Sequence, residues 1–203
     1  MPLRRVDCMT MEWSHIAETE AGPMVSRPLV PERFGDMEAV FGERGVARRC
    51  FCMHWRRPDG GYPDERDNRD RYFDVVADGP PPGLLGYVDD EPLGWVQVGP
   101  RAVFPTLDRS RLLKRVDDEE VWSINCFVVK AGNRRKGIGA GLLDAAIAYA
   151  RASGAMTLEA YPVDGYRSSA VDLFTGTMRM FEDQGFVEVL RRNDSRPIVR
   201  LTF

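Results

Sequence analysis

Lysine is nearly missing from this 203-residue chain: Lys114, Lys130 and Lys136 are the only ones, and arginine makes up the rest of its 28 basic residues. Against 31 acidic residues the net charge is −3, so no overall positive field draws the chain to nucleic acid or to anionic lipid. The arginine excess reads as compositional bias, not as a binding code. Long apolar runs are missing as well. No stretch approaches the roughly 18 residues of a membrane-crossing helix, which sets membrane insertion aside. The N-terminal MPLRRVDCMTMEWSHIAETE has two early arginines but no apolar segment behind them, so it does not read as a secretory leader, and a cytoplasmic protein is expected. Cysteine is sparse. Cys8, Cys50, Cys52 and Cys126 are expected to be reduced thiols, not a disulfide framework.

What remains is an ordinary globular composition, 43% hydrophobic and 29% charged. The length suits one compact domain with a short appendage and buries enough surface to need no staples. We expect residues 1–23 to be an N-terminal arm or extra strand and residues 24–203 to be a single domain. MVSRPLV (24–30) reads as a strand. Pro31 then suits a helix start, and Phe34, Met37, Val40 and Phe41 fall on one stripe. Residues 62–79 read as a second helix, with Pro63 at its start, acids in its first turn and Gly79 at its end. LLGYVDDEPLGWVQVGP reads as a hairpin turning at Asp89-Asp90. A long connection with one helical turn follows. VWSINCFVV (121–129) is almost wholly β-favouring and is expected to be a central strand.

The next segment, KAGNRRKGIGAGLLDAAIAYARASG, carries the most chemistry. A strand leads into a turn rich in glycine and arginine, then into an amphipathic helix with Leu142, Leu143, Ala146, Ile147 and Ala150 on its apolar stripe. Gly137 and Gly139 permit close approach to the backbone, and the first N–H groups of the helix face whatever sits there. With Arg134, Arg135 and Lys136 beside them, these groups suit a phosphate or pyrophosphate. The Walker pattern GxxxxGK[ST] is absent, and Gly137-Ile138-Gly139-Ala140-Gly141 does not have the GxGxxG spacing of a dinucleotide fingerprint. The pattern [Q/R]-x-x-G-x-[G/A] is met by Arg134 through Gly139.

With AMTLEAYPV (155–163) as the next strand, TGTMRMFEDQGFVEVLRR as helix, Gly185-Phe186 break and strand, and RPIVRLTF as the last strand, the chain from about residue 24 resembles the GNAT superfamily of N-acetyltransferases. The resemblance implies an α/β (α+β) fold with a mixed central sheet flanked by helices. It implies acetyl-CoA as cosubstrate, and an acetyl group passed to an amine by direct attack through a tetrahedral intermediate. Its pyrophosphate would lie on the backbone of Arg135 to Ala140, that is Arg135, Lys136, Gly137, Ile138, Gly139 and Ala140, with Arg134 alongside. Its pantetheine arm would pair with Phe127, Val128 and Val129, where a backbone N–H would stabilise the oxyanion. The acceptor is left open between a small-molecule amine and a protein amine, and a homodimer is compatible. A domain of this kind that binds acyl-CoA without turnover, as a sensor or partner subunit, is the rival reading.

Two departures from the family pattern matter. Phe181 stands where the family often has a tyrosine acid, four residues before the Gly-Phe break. Ser123 stands where some relatives carry a carboxylate base, with Asn125 following on the same face; both can contact substrate, but neither is a strong base. The catalytic candidates are then Glu159 as base and Tyr161 as acid or acceptor contact, with His54 next in line as base. In RRCFCMHWRR the alternation of Cys50, Cys52 and His54 in an extended segment would aim all three one way. Three ligands without a second cluster make a poor zinc site, so no metal is expected, and Cys52, His54 and Trp55 are expected to shape the acceptor side of the cleft. Plain core packing of the stretch stays open beside that.

Overall fold

The computed structural model describes residues 12–57, 65–165 and 172–203. Among them, eight strands form one mixed sheet in the order β1-β2-β3-β4-β5-β6-β8-β7. β1 is His15–Thr19 and β2 Gly22–Pro28, an antiparallel pair at one end of the sheet. Part of the N-terminal segment therefore extends the sheet beyond β2. Helices α1 (Phe34–Phe41), α2 (Val46–Cys50) and α3 (Glu65–Asp78) follow. Pro63, expected at the start of α3, lies outside the described residues. The hairpin is β3 (Gly83–Val88) and β4 (Glu91–Pro100), with Asp89 and Asp90 both at positive φ in its turn. The long connection holds the one-turn helix α4 (Pro105–Arg109). It leads to the central strand β5 (Trp122–Val129) and the long helix α5 (Ile138–Ala152). β6 (Thr157–Ala160), α6 (Met178–Glu182), β7 (Val187–Arg191) and β8 (Pro197–Thr202) complete the order.

One face of the sheet is covered by α5. Leu142, Leu143, Ala146 and Ala150 are buried against Val96, Val98, Ile124 and Phe127, each leucine contributing about 1.5–3 kcal/mol by burial. The approach is close because β4 carries Gly94; a Cβ there would stand 2.8 Å from both Ile138 and Leu142. The other face packs on α1, α3 and residues 51–53, with Phe34, Met37, Phe51, Tyr72 and Trp95 at its centre. Phe181 is in the α5-side core, with its ring 6.1 Å from Phe127 and 5.1 Å from Phe186.

One expected strand is shorter than the sequence suggests, and one expected extended segment is absent. The segment 155–163 holds regular pairing only over Thr157–Ala160. Past Tyr161 and Pro162, Val163 bridges Thr177 instead of β5, its N–H donating to Gly176 O at 2.9 Å. The stretch after α1 is not extended at all. It makes the short helix α2 and then a turn in which Phe51 and Cys52 both have positive φ, 45° and 53°. The alternation expected for Cys50, Cys52 and His54 therefore does not occur. Cys52 points into the core, where its Sγ meets Cys126 Sγ at 3.4 Å and accepts from Trp95 Nε1 at 3.2 Å.

Candidate active site at the parting of two strands

β5 and β6 run parallel, and their pairing stops early. Trp122, Ser123 and Ile124 pair with Leu158, Glu159 and Ala160, after which β6 turns away. On its other edge β5 stays paired with β4 as far as Val129. Residues 125–129 thus present one backbone edge with no strand beside it among the described residues. Asn125 is at the start of this edge, and it is the extra residue of a bulge: Gln97 pairs with Cys126 and Val98 with Ile124, leaving Asn125 between them. Bulges locally re-aim backbone groups and are frequent beside active sites. Here Ile124 and Phe127 belong to the α5-side core, whereas Cys126 packs on the opposite side.

The free edge leads straight to the glycine loop. Arg135 and Gly137 both have positive φ, 61° and 78°, and α5 begins at Ile138. The first turn bond is Gly141 N to Gly137 O at 3.0 Å, so the N–H groups of Ile138, Gly139 and Ala140 have no partner within the helix. Backbone of this kind forms a concave nest for an anion, reinforced by the helix dipole. Arg134, Arg135 and Lys136 are exposed around it, Lys136 Nζ donating to Asn133 Oδ1 at 2.9 Å. Gly137 has a second constraint: a Cβ there would lie 3.3 Å from Thr19 and from Glu20 N, in the β1–β2 turn. A strand edge ending at a helix N-terminus suits a long ligand with an amide-bearing arm and a pyrophosphate, which is the chemistry of coenzyme A.

Beyond the bulge the walls come from two places. Residues 51–57 lie over the sheet, with Trp55 Nε1 donating to Asn125 O at 2.9 Å. His54 is partly buried and packs edge-on against Trp55 and Phe174, with ring centroids 4.5 Å and 6.4 Å away. Burial lowers its pKa below the usual histidine value, so the ring is neutral near pH 7. Cys50 is pushed up to about 11 by burial, and Cys52 also rises through burial, so neither is a thiolate nucleophile.

The second wall is a buried polar network centred on Glu159, which is 1% exposed. Oε1 accepts from Arg101 Nη1 and from the Tyr161 hydroxyl, both at 2.8 Å, and Oε2 accepts from Arg200 Nε at 2.9 Å. Arg200 also binds Asp117 and Glu119, and Arg101 binds Asp108. The Tyr161 hydroxyl is further bonded to Arg101 and, at 2.9 Å, to Ser123 Oγ. Burial pushes the Tyr161 pKa well above its usual value. Ser123, Asn125, Glu159 and Tyr161 are therefore brought together at the parting of the strands. Arg101, Arg200 and Asp117 complete the network and carried no signal in the sequence: they are distant in the chain and lie outside any motif.

The model of the acetyltransferase (GNAT) family matches residues 49–186. The fold is similar to that of the GNAT domain of PAT from S. lividans, with TM-score 0.58 and 14% identity over 94% of this chain and 97% of that one. It is similar also to a protein from Bacillus halodurans, with TM-score 0.56 and 11% identity over 93% and 90% of the two chains. An acetyltransferase of the GNAT family from Streptococcus agalactiae has TM-score 0.52 and 13% identity over 89% and 95%. At these identities the likeness is one of fold. No curated protein matches the chain in sequence. The family match spans more than half the residues and includes the free edge of β5, the glycine loop and α5, so the chain belongs to the acetyltransferase (GNAT) family.

Proposed function

We propose that this protein moves the acetyl group of acetyl-CoA onto the nitrogen of an amine acceptor. The observation that carries the reading is the continuous path from the unpaired edge of β5 to the N-terminus of α5. The backbone of Phe127, Val128 and Val129 holds the pantetheine arm as an added strand would be held. The N–H groups from Arg135 to Ala140 hold the pyrophosphate, and Arg134, Arg135 and Lys136 add charge. A backbone N–H near the Asn125 bulge donates to the thioester oxygen and holds the charge that develops there.

Proton transfer falls to His54 in this reading, not to Glu159. Both oxygens of Glu159 are engaged by three donors, two of them guanidinium groups, so its hydrogen-bonding capacity is committed to the buried network. Its role is to orient Tyr161, which in turn fixes Ser123. His54 is neutral near pH 7 and stands beside Trp55, which holds the bulge carbonyl. Phe181 supplies no proton to a leaving thiolate, and near neutral pH a thiol of pKa about 8.5 needs little help to leave. Trp55 shapes the acceptor wall directly, and Cys52 supports it from the core.

The engaged Glu159 and the phenylalanine at 181 also favour a second reading, in which the domain binds acyl-CoA without turnover. An acceptor screen with thiol release as readout separates the two. Release that depends on both acetyl-CoA and an amine supports transfer; tight CoA binding with no release for any amine supports the binding module.

A further inference from the structure

Six buried side-chain nitrogen or oxygen atoms have no hydrogen-bond partner among the described residues, and four of the six belong to Arg56, Gln97 and Asn125. Arg56 and Gln97 meet at Tyr72, and Asn125 precedes the residue that pairs with Gln97. Gln97 pairs with Cys126 in the β4–β5 register, next to the bulged Asn125. Gln97 Nε2 donates to the Tyr72 hydroxyl at 3.1 Å, and the Arg56 guanidinium carbon lies 5.9 Å from the Tyr72 ring centre and 4.8 Å from that of Phe104. Arg56 is partly buried and forms no ion pair among the described residues, whereas its neighbour Arg57 is bound by Asp67 at 3.0 Å. Leaving a buried polar atom unpartnered costs about 1–3 kcal/mol, so each of these atoms calls for a partner.

The chemistry of the four atoms describes that partner. Gln97 Oε1 and Asn125 Oδ1 are acceptors without donors; Arg56 Nε and Asn125 Nδ2 are donors without acceptors. An amine provides N–H groups for the two carbonyl oxygens. A carboxylate provides oxygens for a guanidinium and a carboxamide, and a guanidinium stacked on aromatic rings is well suited to it. Asn125 stands at the bulge where the acetyl group would arrive, so an amine held there is in place for attack. Resting on the acetyltransferase reading, we infer that the acceptor is a small amine bearing a carboxylate, of the amino-acid class. Its nitrogen lies between Gln97 and Asn125, and its carboxylate lies on Arg56.

The test uses the full chain, acetyl-CoA and matched amines: several amino acids, each beside its methyl ester and its decarboxylated amine, with thiol release measured as kcat/KM. The free acids are expected to exceed both neutralised forms by at least about tenfold, the worth of a charge-assisted hydrogen bond. Arg56→Gln should erase that preference while CoA affinity, read by calorimetry, stays unchanged; Arg56→Lys should keep part of it. Esters used as well as acids, or an Arg56→Gln loss equal for acid and ester, would overturn the inference, as would CoA binding with turnover only of a peptide lysine. Failure of the wild-type chain to bind CoA would instead remove the acetyltransferase reading itself, and this inference with it.

Discussion

Glu159 and His54 are the two residues at which the chemistry of the site can be separated from its architecture. Glu159 sits in the sheet between Arg101 and Arg200, and removing its charge leaves both guanidiniums short of a buried counter-ion. Breaking a buried pair of this kind costs about 3–5 kcal/mol, less here because Asp108 and Asp117 remain. Glu159→Gln is therefore expected to lower the melting temperature markedly and to reduce turnover only in proportion to folded protein. A catalytic base would behave in the opposite way, with stability kept and turnover lost. For His54 the prediction concerns pH. Burial lowers its folded pKa, so on acidification through about pH 6.5 the unfolded chain takes up this proton before the folded one does. Stability should fall with pH in that window, and the turnover profile should show an acid limb with a midpoint below about 6.5. His54→Gln should flatten the stability slope and abolish the limb; an unchanged limb places the base elsewhere. That Glu159 and Tyr161 share a face was legible from alternation in LEAY. Their arginine partners were not, because an ion pair between residues 41 or more apart leaves no local pattern.

At the scale of elements, the strand–loop–helix unit from Trp122 to Ala152 was the most legible part of the chain, since its β-favouring run, its glycines and its 3.6-residue stripe all agree. The turn at Phe51 and Cys52 was the least legible: bulky residues at positive φ are rare, and nothing in RRCFCMHWRR announces them. The loop itself makes a sharp prediction. Gly137 combines φ +78° with 3.3 Å contacts to the β1–β2 turn, so Gly137→Val both strains the backbone and pushes that turn away. A left-handed non-glycine residue alone costs about 1–2 kcal/mol. CoA affinity should fall by more than about tenfold in calorimetry, while the far-ultraviolet circular dichroism of the sheet is retained. Unchanged affinity would mean that the phosphate groups bind elsewhere.

For the whole molecule, the parting of β5 and β6 divides the sheet into β1–β5 on one side and β6, β8 and β7 on the other, joined by only three paired positions and by α5. The Glu159 network reinforces that joint: it ties β6 to the segment after β4 through Arg101, and Tyr161 to Ser123 of β5. A ligand that lies along the free edge of β5 supplies backbone partners that the sheet lacks there, and so it stabilises the region where the two halves meet. Binding to the folded state alone adds RT ln(1 + [L]/Kd), about 2.7 kcal/mol at a hundredfold excess over Kd. For a chain of this size that corresponds to a rise in melting temperature of roughly 5–10 °C, and one that grows with ligand concentration. Hydrogen exchange then locates the effect. With CoA bound, the free-edge amides among residues 126–129 and those of residues 137–140 should gain protection together, because one ligand spans both, whereas the adjacent strands β3 and β4 are already paired along their length and should change little. Protection confined to 137–140 would mean that the loop binds phosphate without the arm entering the parting of the strands, and the free edge of β5 would then have no part in holding the cosubstrate.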